Sequence, residues 1–538
     1  MRLDDLISRA NARMTERGFG RASLRIASGL ASVRICDVTE DSRTVLPGSL
    51  FVARAGAKAD GHQFVQQSLK SGAAAILVKS ESGLDLAAEG GSVARSAVVE
   101  SADVERAAAY LAETFYGEPS NKMRCIGVTG TNGKTTVTWL LWRLLNGVDL
   151  RTGLIGTVMI DDGNEVARAE MTTPPAIELS RTLNMMAESG CRFAAMEVSS
   201  HSLAQKRVAA LSFGVGVFTN LTQDHLDFHK TMEEYANAKA ELFRMLPADG
   251  LALVNTQDDA AERMLAGCIA RKILCEGVKS ESKEAVPGRA SVRIVEMDRT
   301  GMKLGLVGPF GSFEAWVPLI GSFNAMNVLQ AVCCAFECGM NVQQIAQGCS
   351  RLDAPPGRLE RVPTRGDEPL VLVDFAHTED ALRNALGTAK KVVGSGRLIA
   401  VFGCGGDKDR TKRPKMGRVA TEIADVAIIT SDNPRTEKPG DIIDSILIGV
   451  DDSDRHKTSV QADRRQAIFH AVSIARADDI VVIAGKGHET DQILPDGRGG
   501  TETHHFDDRE VAREAIAERR AMMRVGRAKS ETGSILEP

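Results

Sequence analysis

Residues 123–145 read MRCIGVTGTNGKTTVTWLLWRLL. An apolar run comes first, a glycine-rich turn follows it, and an apolar stretch of helical character begins at Thr135. Glycines in such a turn let backbone N–H groups approach phosphate oxygens, and the helix that follows adds its positive N-terminal end. The segment therefore predicts a strand, a phosphate-binding loop and a helix within a nucleotide-binding α/β domain.

The side chains of this loop fit ATP. Lys134 would reach the β- and γ-phosphates, and the Thr135 hydroxyl would ligate Mg²⁺. Val128 stands where the general P-loop has its first glycine, so the loop matches only the shorter form GxxGKTT. An ordinary glycine-rich turn is the alternative, and a P-loop alone would equally suit a motor, a transporter ATPase or a kinase. The predicted ATP-binding residues of the loop are Gly130, Thr131, Asn132, Gly133, Lys134, Thr135 and Thr136.

Composition narrows the class of protein. A chain of 538 residues is long enough for about three domains. The net charge of −5 argues against a nucleic-acid partner, and no apolar run reaches the roughly 20 residues of a membrane span. The first ten residues contain acidic side chains and lack the apolar core of a secretory signal. Ten scattered cysteines without a CxxC pair are typical of a reduced, cytoplasmic protein.

Three regions of the chain differ in their pattern of apolar runs, helical stretches and turns. These differences predict domains at 1–120, 121–354 and 355–538. In the first, strand-like runs at 49–56 and 72–80 flank a short helical stretch. The second and third alternate apolar strands with helices, which favours mainly parallel, doubly wound sheets. Four strands of the third region lead directly into polar or glycine-rich turns, where open α/β sheets place their ligands.

Further motifs follow the phosphate loop in an order that resembles the Mur ligases. They are MTTPP (171–175), MEVSSHSLAQKR (196–207), TNLTQDHLDFH (219–229), NAKAELF (237–243), GSFNAMN (321–327), DFAHTEDAL (374–382), GCGGDKDRTKRPKMG (403–417), DNPR (432–435) and GKGHE (485–489). The series spans nearly the whole chain. DSRTVLPGSLFVA (41–53) and DGHQF (60–64) are similar to the N-terminal signature of the MurE branch, which adds the third residue of the peptidoglycan stem peptide.

This resemblance implies a fold and a reaction. The fold would have a small N-terminal α/β UDP-binding domain, a central P-loop doubly wound ATPase-type domain and a C-terminal Rossmann-like α/β domain. The enzyme would use ATP and Mg²⁺ to add meso-2,6-diaminopimelate to UDP-N-acetylmuramoyl-L-alanyl-D-glutamate through an acyl phosphate. Phosphoryl transfer of this kind depends on cations that neutralise developing charge. We expect a monomer.

The resemblance also implies site residues. The catalytic set would be Lys134, Glu197, His225 and Lys239, and the metal ligands would be Thr135, Glu197, His225 and a carbamylated Lys239. Taken alone, His225 would be a structural histidine and Lys239 a solvated helix lysine. Carbamylation needs an uncharged amine, so it implies a lowered lysine pKa. Further nucleotide contacts would be Asn324, Asn327, Arg358 and Asp374, and the UDP-linked substrate would contact Ser42, Thr172, Thr173, Ser199, Gln205 and Arg207.

The amino acid would bind in the third domain. Meso-diaminopimelate has a second carboxylate that lysine lacks, and an arginine fork binds a carboxylate bidentately. The turn Asp432, Asn433, Pro434 and Arg435 resembles the diaminopimelate type, and Gly485 and Glu489 would hold the other end of the amino acid. Lys408 would contact a carboxylate of the amino acid, at a position where the family commonly has arginine. It keeps the charge but lacks the fork, so either Arg410 or Arg413 is a candidate substitute.

Other functions stay open at this stage. A lysine-adding MurE-type ligase is the nearest, followed by a folylpolyglutamate synthase, which is expected to begin directly with its ATP domain. A P-loop ATPase that couples hydrolysis to motion would need neither the DNPR nor the GKGHE turn. A silent scaffold is disfavoured because Lys134, Glu197 and Lys239 are all present.

Overall fold

The computed structural model describes residues 1–56, 60–80, 96–279 and 284–533. Three α/β units follow one another along the chain, each built on its own sheet. Each sheet lies within one of the predicted ranges 1–120, 121–354 and 355–538, although the limits themselves remain predictions. Within the described residues, no helix combines the length and the apolarity that crossing a membrane requires.

The N-terminal unit has a five-stranded sheet in the order β1-β5-β4-β3-β2, in which only β1 is antiparallel to its neighbour. Its strands are β1 (Arg25–Ser28), β2 (Asp37–Thr39), β3 (Ser49–Val52), β4 (Ala75–Lys79) and β5 (Ala97–Ser101). Its helices are α1 (Leu3–Glu16), α2 (Val65–Lys70), α3 (Val104–Phe115) and α4 (Pro119–Lys122). Helices α1 and α3 contribute to the core on one face, and α2 to the core on the other. The strands predicted at 49–56 and 72–80 are β3 and β4.

The central unit has an eleven-stranded sheet in the order β16-β15-β14-β13-β12-β11-β6-β10-β7-β8-β9. The strands from β14 to β7 in this order are parallel, and an antiparallel pair extends the sheet at each side. The strands are β6 (Arg124–Thr129), β7 (Thr152–Ile155), β8 (Met159–Asp161), β9 (Val166–Arg168), β10 (Phe193–Glu197), β11 (Phe213–Phe218), β12 (Leu251–Asn255), β13 (Arg271–Gly277), β14 (Arg289–Asp298), β15 (Gly301–Gly308) and β16 (Gly311–Val317).

Helices cover both faces of this sheet, which confirms the predicted doubly wound arrangement. They are α5 (Lys134–Asn146), α6 (Ala176–Glu188), α7 (Ser200–Ala204), α8 (Leu226–His229), α9 (Met232–Arg244), α10 (Ala261–Leu265), α11 (Phe323–Glu337) and α12 (Val342–Cys349). Helices α5 and α11 pack in one core, and α6 and α9 pack in the other. Because β10, β6 and β11 are adjacent and parallel, the turns after these three strands lie together at one edge.

The C-terminal unit has a six-stranded sheet in the order β17-β18-β22-β19-β20-β21, parallel except for β17, and a separate hairpin of β23 and β24. Its strands are β17 (Glu360–Val362), β18 (Leu370–Asp374), β19 (Leu398–Phe402), β20 (Val426–Ile429), β21 (Thr458–Val460), β22 (Ile480–Ala484), β23 (Asp491–Pro495) and β24 (Thr501–His505). Its helices are α13 (Glu379–Val392), α14 (Lys412–Ile423), α15 (Pro439–Leu447), α16 (Arg464–Ile474) and α17 (Asp508–Gly533). The four strands predicted to lead into ligand-binding turns are β18, β19, β20 and β22.

Candidate active site

The phosphate loop joins β6 to α5, as the sequence predicted. Gly130 has a φ of +149°, and a Cβ there would clash with Thr219 Oγ1, so the strand end and the neighbouring turn require glycine. Lys134 Nζ donates to the carbonyl oxygens of Gly130 (3.0 Å) and Thr131 (2.9 Å). The lysine therefore lies folded back over the loop that would hold the phosphates.

Glu197 and Thr135 meet beside this loop. Glu197 is the last residue of β10, next to β6, and it is buried. Its Oε2 accepts from Thr135 Oγ1 (3.0 Å) and Thr157 Oγ1 (3.2 Å), and its Oε1 accepts from Thr157 N (2.7 Å). A carboxylate and a hydroxyl at hydrogen-bond distance supply the hard oxygen donors that Mg²⁺ prefers. These two residues fit the predicted metal site.

Lys239 is not the solvated lysine that composition alone would favour. It lies on α9 with 1% of its surface exposed, and its Nζ donates to Gly130 O (2.7 Å). Burial lowers the pKa of Lys239 well below its ordinary value, and the nearby Lys134 ammonium lowers it further. An uncharged amine beside the phosphate loop is what carbamylation requires.

His225, the fourth predicted metal ligand, is exposed, whereas Glu197 and Lys239 are buried. Its side chain is 45% exposed, and its Nε2 lies 3.5 Å from Asp224 Oδ2. Its ring contacts the His201 ring, and the Tyr235 ring lies 6.1 Å away. Tyr235 also lies 4.3 Å from Lys239 Nζ and bonds through its hydroxyl to Thr131 Oγ1 (3.1 Å). Tyr235 thus links the loop, Lys239 and the His225 region, a role that sequence reasoning missed although its position four residues before Lys239 places both on one helix face.

The predicted nucleotide contacts come from two units. Asn327 Nδ2 donates to Asn324 Oδ1 (2.9 Å), and a Cβ on Gly133 would lie 2.6 Å from Asn327 Oδ1, so α11 abuts the phosphate loop. From the third unit, Arg358 packs over the Phe375 ring, and its buried Nε has no hydrogen-bond partner among the described residues. Burial lowers the pKa of Lys134, the nearby Glu197 carboxylate opposes this change, and the positive charge of Arg358 lowers the pKa further.

Asp374 ends β18 beside Arg358. Its carboxylate accepts from the backbone N–H groups of Leu359 (2.7 Å) and Ala376 (2.9 Å). Burial raises the pKa of Asp374, and the Arg358 charge opposes that rise. The Asp374 carboxylate therefore ties the turn that contains Arg358 to the end of β18.

Of the six residues predicted to contact the UDP-linked substrate, all but one belong to one hydrogen-bonded series. Thr172 Oγ1 bonds to Thr157 Oγ1 (3.0 Å), Thr173 Oγ1 donates to the Glu197 carbonyl (2.8 Å), and Ser199 caps α7. Arg207 donates to Thr173 O (2.7 Å) and to Gln205 Oε1 (2.7 Å). Ser42 lies in the N-terminal unit, and no hydrogen bond within the described residues joins it to the other five.

The two turns predicted to bind the amino acid do meet. Gly485 has a φ of +121°, and a Cβ there would lie 2.5 Å from Asp432 Oδ2, so the turn after β22 closes against the turn after β20. Asn433 Nδ2 donates to Glu489 Oε2 (2.9 Å). Arg435 Nη1 donates to Gly406 O (2.8 Å), whereas its Nε and Nη2 have no protein partner in the described part of the chain. Pro434 is buried against Gly406.

The cations near the GCGGDKD turn are placed differently from one another. Lys408 is exposed beside Gly405. The two candidate substitutes are both paired with Glu437: Arg413, 1% exposed, binds it bidentately (2.8 and 3.0 Å), and Arg410 approaches it at 3.1 Å. The Arg413 guanidinium lowers the pKa of Glu437 to about 2.

Replacing Glu437 by glutamine is expected to lower the free energy of unfolding by about 3 kcal/mol at pH 7, because Arg413 would be left buried without its countercharge. The pKa of Glu437 falls from 4.5 to about 2 on folding, so its contribution is present above pH 4.5 and is lost as the pH falls toward 2. Denaturant unfolding of both proteins at pH 7 and pH 3 measures this. An equal difference at both pH values would contradict the assignment.

Family models of known proteins match parts of all three units. The family model "Mur ligase middle domain" matches residues 128–335. The model "Mur ligase, glutamate ligase domain" matches residues 357–487, and the model "Mur ligase family, catalytic domain" matches residues 34–116. A UDP-N-acetylmuramoyl-L-alanyl-D-glutamate–2,6-diaminopimelate ligase of Gloeobacter violaceus is 43% identical over 91% of this chain and 96% of its own length. The chain belongs to the Mur ligase family. It is thus a member of a family of ATP-dependent, amide-bond-forming ligases.

Other relatives of this Mur ligase give the same family and fold. A Bacillus cereus protein with the same name is 41% identical over 90% of this chain and 94% of its own. A solved structure of a ligase of that name, 34% identical, covers 90% of this chain and 95% of its own with a TM-score of 0.64. A Mycobacterium tuberculosis folylpolyglutamate synthase complexed with ADP, 17% identical, covers 70% of this chain and 90% of its own with a TM-score of 0.54, and shares the fold.

Proposed function

We propose that this Mur ligase adds meso-2,6-diaminopimelate to UDP-N-acetylmuramoyl-L-alanyl-D-glutamate, using ATP and Mg²⁺. The observation that carries the proposal is the half-engaged guanidinium of Arg435. One of its nitrogens is tethered to Gly406 O, and Nε and Nη2 are left for a carboxylate at the edge where Glu489 also lies. Relatives named for this reaction, 41–43% identical over nearly their whole length, support it.

The first step activates a carboxylate. An oxygen of the D-glutamyl side chain attacks the γ-phosphorus of ATP, the bond to the β-phosphate oxygen breaks, and an acyl phosphate and ADP form. Lys134 would leave its two carbonyl partners and neutralise the transferring phosphoryl group. Thr135, Glu197, His225 and a carbamylated Lys239 would hold Mg²⁺, which supplies charge neutralisation and Lewis acidity when bound.

The second step forms the amide. An amine of diaminopimelate, having lost its ammonium proton, attacks the acyl carbon, and inorganic phosphate leaves. Asn324, Asn327, Arg358 and Asp374 would close the third unit over the nucleotide, so that water is excluded from the acyl phosphate. The contact of Arg168 Nη1 with Asp491 Oδ2 (2.5 Å) already joins the central unit to the first residue of β23.

The direct test measures inorganic phosphate release with ATP, the UDP-linked dipeptide and each candidate amino acid. We expect release that requires both the dipeptide and diaminopimelate, with much slower release for L-lysine. Equal rates with the two amino acids would contradict the assigned specificity. Release that needs neither substrate would instead indicate an uncoupled ATPase. We also propose that the enzyme acts as a monomer in the cytoplasm.

Replacing Arg435 by lysine is expected to reduce the preference for diaminopimelate over L-lysine by about 1–3 kcal/mol, because a point charge cannot form the two parallel bonds of the guanidinium fork. The ratio of kcat/KM for the two amino acids measures this. Arg455→Lys, at an exposed arginine of the same unit, is the matched control. An unchanged ratio in Arg435→Lys would remove Arg435 from the site.

A further inference from the structure

Lys486 is a lysine with no exposed surface, and it lies inside the GKGHE turn. The family resemblance implies that Gly485 and Glu489 bind the amino acid, and it implies no role for Lys486. Burying an ammonium group is unfavourable unless the group is paired and hydrogen-bonded. A fully buried lysine between two proposed binding residues therefore requires an explanation.

The ammonium group of Lys486 contacts three separate segments. Its Nζ donates to Asn433 Oδ1 (3.3 Å) in the turn after β20 and to the backbone carbonyl of Asp491 at the start of β23. It also forms an ion pair with Glu489 Oε2 (3.5 Å) in its own turn. The lysine thus joins the DNPR turn, the GKGHE turn and the hairpin that follows.

These contacts determine which way the Asn433 amide points. Its Oδ1 accepts from Lys486 Nζ and from Ile493 N (3.0 Å), so its Nδ2 lies on the opposite side and donates to Glu489 Oε2 (2.9 Å). Glu489 Oε2 is therefore engaged by two groups. Glu489 Oε1 has no hydrogen-bond partner among the residues that the structure describes.

We propose that Lys486 is a positioning residue for the amino acid site: it fixes the Asn433 amide and the Glu489 carboxylate so that Glu489 offers Oε1 to an ammonium group of the amino acid. This inference rests on the proposed function. Lys486 itself is enclosed by protein and touches no reacting atom, so its effect passes through its two neighbours. The expected consequence is on amino acid binding and not on phosphoryl transfer.

Lys486→Met is the first test, because methionine fills similar space and lacks the charge and the donors. We expect the KM for diaminopimelate to rise about ten-fold, with kcat and the KM values for ATP and the UDP-linked dipeptide changed less than about three-fold. Arg397→Met is the matched control. It breaks a partly buried pair with Asp479 at the opposite edge of the same sheet and should leave every KM unchanged.

A double-mutant cycle separates positioning from a general structural role. Glu489→Gln alone should raise the KM for diaminopimelate, and adding Lys486→Met should raise it less than about two-fold further. Multiplicative effects in the double variant would overturn the proposal. Lys486→Gln, which keeps an N–H donor, gives a second variant with an intermediate expected KM. If circular dichroism shows that neither Lys486 variant folds, Lys486 has a role in stability, and the proposal is overturned as well.

Measurements on the wild-type enzyme distinguish a failure of this inference from a failure of the proposed function. Phosphate release that depends on diaminopimelate in the wild type, with an unchanged KM in Lys486→Met, would remove only the positioning role. A wild-type enzyme that shows no release with diaminopimelate would remove the proposed function itself.

Discussion

Replacing Lys239 by alanine is expected to lower kcat about 1000-fold, equivalent to about 4 kcal/mol of transition-state stabilisation. The amine is buried, donates to Gly130 O and has a pKa far below its ordinary value. Such an amine can lose its proton and bond to CO₂, which converts a cation into an anionic oxygen ligand beside the phosphate loop. Phosphate release measures the loss of rate.

Lys272→Ala, at an exposed lysine of the same unit, is the control and should retain full activity. Carbon-13-labelled bicarbonate should give the wild type a carbamate signal in the nuclear magnetic resonance spectrum, and that signal should be absent from Lys239→Ala. Normal turnover in the alanine variant would refute the assignment of Lys239. A rate loss without any carbamate signal in the wild type would mean that the lysine acts as an amine.

Replacing Glu197 by glutamine should also lower kcat about 1000-fold, because a metal ion held at the proposed site would contribute several kcal/mol of charge stabilisation. Glutamine keeps an oxygen for Thr157 N and nearly the same volume, so the local hydrogen bonds change little. The charge that would hold Mg²⁺ beside Thr135 is lost. The variant should therefore require a higher Mg²⁺ concentration for half-maximal phosphate release.

Glu337→Gln is the matched control for this substitution. Glu337 ends α11 and pairs with Arg124 and Arg271 at the amino edge of the same sheet, away from the phosphate loop. It should leave kcat and the Mg²⁺ dependence unchanged. If Glu197→Gln retained the wild-type Mg²⁺ dependence, or lost activity only through a lower melting temperature, Glu197 would be a structural residue.

Much of the fold was predictable because its signals are local. The apolar run before Gly130 and the glycine-rich turn after it specify a strand and a loop from neighbouring residues alone. The strands that became β18, β19, β20 and β22 were each recognised by an apolar run leading into a polar turn. The Mur-type motifs followed in chain order, and the family comparison agrees with them.

The site was predictable only as a set of residues. Composition alone favoured a solvated Lys239. The side chain is buried because α9 packs against the phosphate loop, where Lys239 donates to Gly130 O. Arg410 and Arg413 were interchangeable candidates in the sequence, whereas both bind Glu437 in the folded chain. Side-chain pairing of this kind depends on burial and distance, which a single sequence does not encode locally.

The sequence by itself determined which chemical groups this protein contains: a glycine-rich loop with Lys134 and Thr135, the carboxylate of Glu197 and the guanidinium of Arg435, each within a short motif. The tertiary structure decided which of these groups act together. Strands β20 and β22 are not neighbours in the chain, yet both flank β19 in the sheet order. Because all three are parallel, their turns converge, and Asn433, Lys486 and Glu489 come into contact. Strand order, a non-local outcome of packing, therefore brought together the residues of the proposed amino acid site, which the motifs identify only one by one.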